Sequence, residues 1–199
     1  FGHLALNNIK KIKLKNKNYL RNKYSVKFEK QTILVSYHSD ITENKNLKNF
    51  KYLVNSLNNL ENVFIIFTSS NIDFMGSEIN NEIKKFCKKN KHKSIFIKSF
   101  GKIDYFSMLN NVDFLLGNSS SGFYEAPSFG TSVINIGTRQ NGRLKSHNIT
   151  NIAHFDKLFE TKLKRILKKT RKSKKYVNPY YKTNTLKNVI KTIKKIVIN

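Results

Sequence analysis

The turn Gly117-Asn118-Ser119-Ser120-Ser121-Gly122 sets three hydroxyl side chains and a run of backbone amides between an apolar segment and a helix-like one. Amide N–H groups at a helix start, aided by the helix dipole and by serine hydroxyls, can hold a diphosphate without a lysine. The same residues also cap helices that bind nothing, and on this turn alone that plainer role stays open. The chain has neither the lysine-bearing phosphate loop nor a GxGxxG turn, so ATP and dinucleotides are not favoured. Glu125 follows Ser121 by about one helical turn, which puts a carboxylate on the same side, able to accept two hydrogen bonds from a ribose diol. Its plainer role is a first-turn glutamate favoured by the dipole. In the loop Gly137 to Arg143, Arg139 or Arg143 can fork onto a diphosphate leaving group, or both can simply be exposed cations. His38 ends the apolar run Ile33 to Tyr37, either as a packed residue or as an imidazole that polarises a phosphate or helps to move a proton.

These residues need a scaffold that delivers them to one place. Short β-branched runs alternate with longer amphipathic ones, the pattern of βαβ units around a parallel sheet. The expected strands are Thr32 to Tyr37, Val63 to Thr68, Ser94 to Lys98, Val112 to Leu116 and Val133 to Ile136. The expected helices are Leu47 to Leu60, Gly76 to Asn90, Ile103 to Asn110, Gly122 to Phe129, Phe155 to Lys169 and Leu186 to Val197. In an open parallel sheet, ligands sit beyond the carboxyl ends of the strands, where all the loops named above would lie.

The chain has 199 residues, which suits one α/β domain, and it opens on Phe1 inside an apolar stretch, which reads as an internal cut and not a signal peptide. No apolar run has membrane-spanning length, so a soluble, cytoplasmic protein without membrane contact is expected. The single cysteine, Cys87, is expected to be packed, and no metal or cofactor is expected. A net charge of +26 invites a basic nucleic-acid-binding module. Yet lysine is spread over the whole chain, without the interleaved aromatics of a stacking platform. The densest run, Lys162 to Lys172, keeps Leu163, Ile166 and Leu167 at helical spacing, which reads as a solvated helix face.

The segment GNSSSGFYEAPSFGTSVINIGTRQNGR, Gly117 to Arg143, resembles the signature of the hydrolysing UDP-N-acetylglucosamine 2-epimerases of sialic and related nonulosonic acid biosynthesis. The resemblance extends over nearly the whole chain and implies the C-terminal half of a two-domain glycosyltransferase-B-type fold, Rossmann-like and α/β. It divides the chain into an interdomain linker and domain start at 1–30, a UDP-binding domain at 31–175, and a C-terminal helix at 176–199 that packs back toward an absent N-terminal domain. It implies that Ser119, Ser120 and Arg139 contact the diphosphate, Glu125 the ribose and the loop at Phe100 the uracil, with Asn71 lining the cleft and His38 at the reaction centre. The implied reaction is loss of UDP through a 2-acetamidoglucal, then hydration to an N-acetylmannosamine-type sugar. Its acidic catalytic residues belong to the other half, so this chain alone should be inactive, and the whole enzyme a homo-oligomer. The chain departs from the family at Ser39-Asp40, where proline usually follows the histidine, and at Tyr181-Lys182-Thr183, where Gly-Asp-Gly is usual. It also lacks the usual arginine after Asn71-Ile72-Asp73. The rival readings are a UDP-sugar-dependent glycosyltransferase of the same fold and the basic module.

Overall fold

The structure, a computed structural model, describes residues 1–40, 45–71, 75–169 and 176–197. Six parallel strands form one sheet: β1 Gln31–Ser36, β2 Val63–Thr68, β3 Ser94–Ile97, β4 Phe114–Gly117, β5 Ser132–Ile136 and β6 Ile149–Ile152. Their order is β3-β2-β1-β4-β5-β6, so the chain winds outward from β1 in one direction and from β4 in the other. The α/β, Rossmann-like parallel sheet expected from the sequence is therefore the observed one. Order reversal between β1 and β4 leaves a crevice at their carboxyl ends, because the loops leaving those strands turn to opposite faces of the sheet.

Both faces are buried at the centre of the sheet, which is why β1, β2 and β4 read as nearly unbroken apolar runs. Ile33, Val35, Phe114, Leu116, Ile134, Ile136, Ile65 and Phe67 point to one face. There they meet α2 (Asn46–Asn58), α3 (Gly76–Lys89) and α6 (Phe159–Lys169) through Phe50, Leu53, Ile79, Ile83, Phe159 and Leu163. Leu34, Phe64, Ile66, Leu115 and Val133 point the other way, toward Phe106, Met108 and Leu109 of α4 (Gly101–Asn111). The alternation is the two-residue repeat of a strand. Cys87 packs half-buried against the first cluster, and burial pushes its thiol up, away from the reactive thiolate.

The opening segment is part of this body. Leu6, Ile9, Leu20 and Val26 are buried in the second cluster, and residues 17–24 form a helix, α1 (Lys17–Tyr24), that the lysine- and asparagine-rich sequence did not suggest. Its start is nonetheless encoded: the Asn16 side chain accepts from the Tyr19 amide at 2.9 Å. Three groups tie α1 to the first turn of α4. Asp104, only 6% exposed, receives Lys23 Nζ at 2.7 Å, the Tyr24 hydroxyl at 2.7 Å and the Tyr19 hydroxyl at 3.5 Å. Burial opposes the charge on Asp104, but the hydrogen bonds from Lys23 and Tyr24 outweigh it and hold the carboxyl below its usual range. A depressed carboxylate stabilises the fold above its unfolded pKa, and that contribution is lost as pH falls through the folded value. Asp104→Ala should lower unfolding free energy by about 2 kcal/mol near neutral pH. The difference from wild type should vanish in acid, as denaturant titrations at several pH values would show.

The expected helix Gly122 to Phe129 is broken. Regular α-helix, α5, spans only Ser121–Tyr124, followed by a 3-10 turn over Ala126–Phe129. Pro127 explains this, since it has no N–H to give to Phe123. The helix expected from Phe155 begins instead at Phe159, after a turn in which the Asp156 side chain accepts from the Leu158 amide at 2.9 Å and from Lys162 Nζ at 2.8 Å. Within α6, Phe159, Leu163 and Leu167 are buried, so the basic residues from Lys162 to Lys168 occupy its outer side. Thr170 to Lys172 of that run lie outside the described residues. The final helix, α7 (Thr185–Val197), buries only Thr185 and leaves Leu186, Ile190, Ile193, Ile196 and Val197 exposed. Among the described residues, no helix is long and apolar enough to cross a membrane.

Candidate functional site

At the crevice between β1 and β4 the backbones come unusually close. Ser36 pairs with Gly117, and a Cβ on Gly117 would lie 2.0 Å from the Ser36 carbonyl oxygen. Gly117 also has φ +139°, a conformation that L side chains rarely adopt. Only glycine lets β4 end there and release Asn118 to Ser121 over the end of β1.

Asn118, 2% exposed, is the hub of the loops. Its side-chain oxygen accepts from the His38 amide at 2.7 Å, and its side-chain nitrogen donates to the His38 carbonyl at 2.8 Å. Its own carbonyl accepts from Arg139 at 3.2 Å and from Gln140 Nε2 at 2.8 Å. Loops after β1, β4 and β5 are thereby locked together. The β2 loop joins through His38, whose Nδ1 accepts from the Asn71 amide at 3.1 Å. Asn71 also lies 3.5 Å from the Ser39 hydroxyl through its side-chain oxygen. A Cβ on Gly76 would meet the Asn71 carbonyl at 1.9 Å, so glycine there lets α3 start close against this loop. Ile72 and Asp73 lie outside the described residues.

A cleft of about 370 Å³ opens in front of this junction, lined by Ser36, His38, Ser119 and Ser121 on one side and by Lys98 to Lys102 on the other. Ser119 and Ser120 head α5, yet Ser120 makes no side-chain capping bond. Ser119 Oγ takes only a long 3.4 Å bond from the Ser121 amide. The amides of Ser119 and Ser120 have no acceptor among the described residues. The plain capping role is thus not what Ser120 performs. With α5 one turn long, the dipole expected to help hold an anion is small, and the amides and hydroxyls themselves are what the turn offers. Ser121 is already committed: its hydroxyl accepts from the buried Tyr105 hydroxyl at 2.8 Å.

Glu125 stands behind Ser121 with one carboxylate oxygen buried and without a hydrogen-bond partner among the described residues. Burial pushes its carboxyl above the usual range, and a hydrogen bond from Ser121 offsets this only in part. Phe100 turns its ring inward, 8% exposed, against Tyr24 and Tyr105. The exposed residues of its loop at the cleft are Lys98, Ser99, Gly101 and Lys102. Arg139 is exposed, whereas Arg143 lies over the Tyr124 ring at 4.6 Å from its centroid with one guanidinium nitrogen buried and without a hydrogen-bond partner among the described residues. Of the two arginines, Arg139 is the one at the junction. Asn118, Gln140 and Tyr105 were given no role in the sequence, and Ser121 counted only as one of three hydroxyls; Asn118 was signalled only by standing between Gly117 and the serines.

A family model described as UDP-N-acetylglucosamine 2-epimerase matches residues 1–194. The chain belongs to that family. It is 38% identical over 162 residues to the GDP/UDP-N,N'-diacetylbacillosamine 2-epimerase (hydrolyzing) of Campylobacter jejuni, a match covering 80% of this chain and 42% of that protein. The structure of S. aureus MnaA with UDP superposes with a TM-score of 0.70 at 17% identity, covering 98% of this chain and 52% of the other. The Methanocaldococcus jannaschii UDP-GlcNAc 2-epimerase in complex with UDP-GlcNAc and UDP gives 0.66 at 16% identity, covering 91% and 49%. This family member thus spans about half the length of the relatives it matches.

Proposed function

We propose that this chain is the UDP-binding, C-terminal half of a hydrolysing UDP-sugar 2-epimerase that converts UDP-N-acetylglucosamine, or a related bacillosamine-type UDP-sugar, to an N-acetylmannosamine-type sugar and free UDP. The observation that carries this reading is the Ser119-Ser120 turn, its amides unspent, set between His38 and Arg139 at the reversal point of the sheet. A diphosphate there receives the amides and hydroxyls of Ser119 and Ser120 and the guanidinium of Arg139, which together stabilise it as a leaving group. Uracil lies along the backbone of the Phe100 loop, the ribose diol meets Glu125, and Asn71 with His38 borders the sugar. Family membership favours this reading over a glycosyltransferase or a basic nucleic-acid-binding module. The Campylobacter relative is named for a bacillosamine sugar and the superposed structures for UDP and UDP-GlcNAc, which supports the substrate class.

Carbon–hydrogen bond cleavage at C2 and hydration both need acids and bases that the other half supplies, so this chain alone turns over no substrate. The apolar row Leu186, Ile190, Ile193 and Ile196 on α7 is the face that meets that half, residues 1–30 lead in from it, and the whole acts as a cytoplasmic homo-oligomer in nonulosonic acid synthesis.

Thermal unfolding tests the reading. At a hundredfold excess over its dissociation constant, UDP should stabilise the chain by about 2.7 kcal/mol. Arg139→Ala should weaken UDP binding by about tenfold or more while leaving the ligand-free melting temperature nearly unchanged, since Arg139 is exposed. Absence of a shift at millimolar UDP, or an equal shift in the variant, would count against the assignment.

A further inference from the structure

We infer that Asn118 is a positioning residue that, together with the Asn71 backbone amide, fixes His38 as a neutral hydrogen-bond donor through Nε2. An amide N–H can only donate, so the 3.1 Å contact from Asn71 N makes His38 Nδ1 the acceptor. A neutral imidazole with an unprotonated Nδ1 carries its hydrogen on Nε2. That nitrogen lies 3.4 Å from the Ser36 hydroxyl, and both residues line the cleft. The ring keeps this orientation because the His38 backbone cannot drift: the Asn118 carboxamide holds its N–H and its C=O at once, at 2.7 and 2.8 Å. Asn118 is held in turn by Gln140 Nε2 on its carbonyl at 2.8 Å. Three fixed bonds from two loops thus hold His38: the Asn71 amide determines which ring nitrogen carries the hydrogen, and the two from Asn118 keep the ring where that bond can form, as outer-shell partners do for metal-bound histidines.

The consequence deepens the epimerase reading and rests on it for the identity of the acceptor. With Nδ1 occupied by an amide, His38 cannot take a second proton without losing that bond, so Nε2 does not serve as a base toward the sugar. Giving up the Nε2 proton altogether would leave an anionic ring. His38 therefore donates a hydrogen bond to an oxygen of the departing diphosphate, and the proton stays on nitrogen. Proton transfers at the sugar fall to other groups.

Histidine-ring 1H–15N correlation spectra of the chain, without ligand, decide the tautomer directly. The expected pattern for His38 is a protonated Nε2 and an unprotonated Nδ1; the opposite tautomer overturns the inference whether or not UDP binds. Asn118→Ala should give mixed tautomers and an affinity for UDP about five- to tenfold lower by calorimetry. In a His38→Ala background the same substitution should cost almost nothing more, because Asn118 acts through His38. An equal loss in both backgrounds would show that Asn118 only supports the serine loop, and would overturn the positioning role. Where Asn118→Ala fails to fold, Asn118→Ser, which keeps an acceptor for the His38 amide, replaces it in both measurements. Failure of wild type to bind UDP while the ring shows the expected tautomer would reject the nucleotide reading and leave the tautomer standing.

Discussion

Gly117→Ala is expected to cost on the order of 4 kcal/mol of folding stability and to abolish UDP binding in whatever fraction still folds. Two penalties combine at one atom. The added Cβ would lie 2.0 Å from the Ser36 carbonyl oxygen and 2.7 Å from its carbon, and neither is the free end of a flexible side chain that could swing away. The backbone at φ +139° would also have to leave its present conformation. Relief requires β4 to move away from β1, which breaks the pairing of Ser36 with Gly117 and withdraws Asn118 from His38. Gly137→Ala is the control: it too has positive φ, +75°, but a Cβ there meets nothing within 4 Å. It should cost only about 1 kcal/mol. Urea titrations of the two variants would separate steric collision from strain alone, and comparable losses would mean that β1 and β4 can part without damage.

How legible was this in the sequence? The sheet was readable wherever both faces are covered, because Ile33 to Val35 and Val63 to Phe67 are continuous apolar runs, and Val133 to Ile136 is one broken only by Asn135, that few other structures would bury. The strand that escaped, β6, is an edge strand with the sequence Ile149-Thr150-Asn151-Ile152 and two exposed middle residues, so it carries almost no apolar signal. Helix α1 escaped for a related reason: it buries only Leu20 and is held by Asp104, a partner 80 residues away that no local pattern announces. At the site, side-chain chemistry pointed to the serines, Glu125 and the pair Arg139 and Arg143, between which the resemblance chose Arg139. The organising residue did not declare itself, because Asn118 acts through backbone atoms of His38, 80 residues distant. Spacing also misjudged the helix after the serines, where Pro127 removes the dipole that the motif seemed to promise.

Glu125→Gln should move stability and binding in opposite directions. In the free chain the carboxylate is half-buried, with one oxygen lacking a hydrogen-bond partner among the described residues, and burial raises its pKa. For a carboxylate raised in the folded state, the folded form holds protons that the unfolded form releases, so this group's contribution to stability falls as pH rises through the folded value. Removing the charge should therefore stabilise the free protein at neutral pH, by about 1 kcal/mol. The ribose diol changes the balance, because two hydroxyls that donate to the ionised carboxylate favour the charged form. UDP affinity should rise with pH through the elevated carboxylate range in wild type, and protons should be released on binding. In Glu125→Gln this dependence should disappear and affinity should fall by about ten- to a hundredfold. The phosphate of UDP titrates as well, so the comparison between the two proteins isolates the carboxylate. Below the elevated range the protonated carboxyl of wild type and the carboxamide of the variant are both neutral, so the two proteins should converge there and part above it. Calorimetry in buffers of different ionisation enthalpy measures the proton count. Identical pH profiles for the two proteins would remove Glu125 from the ribose site and leave its burial a matter of packing alone.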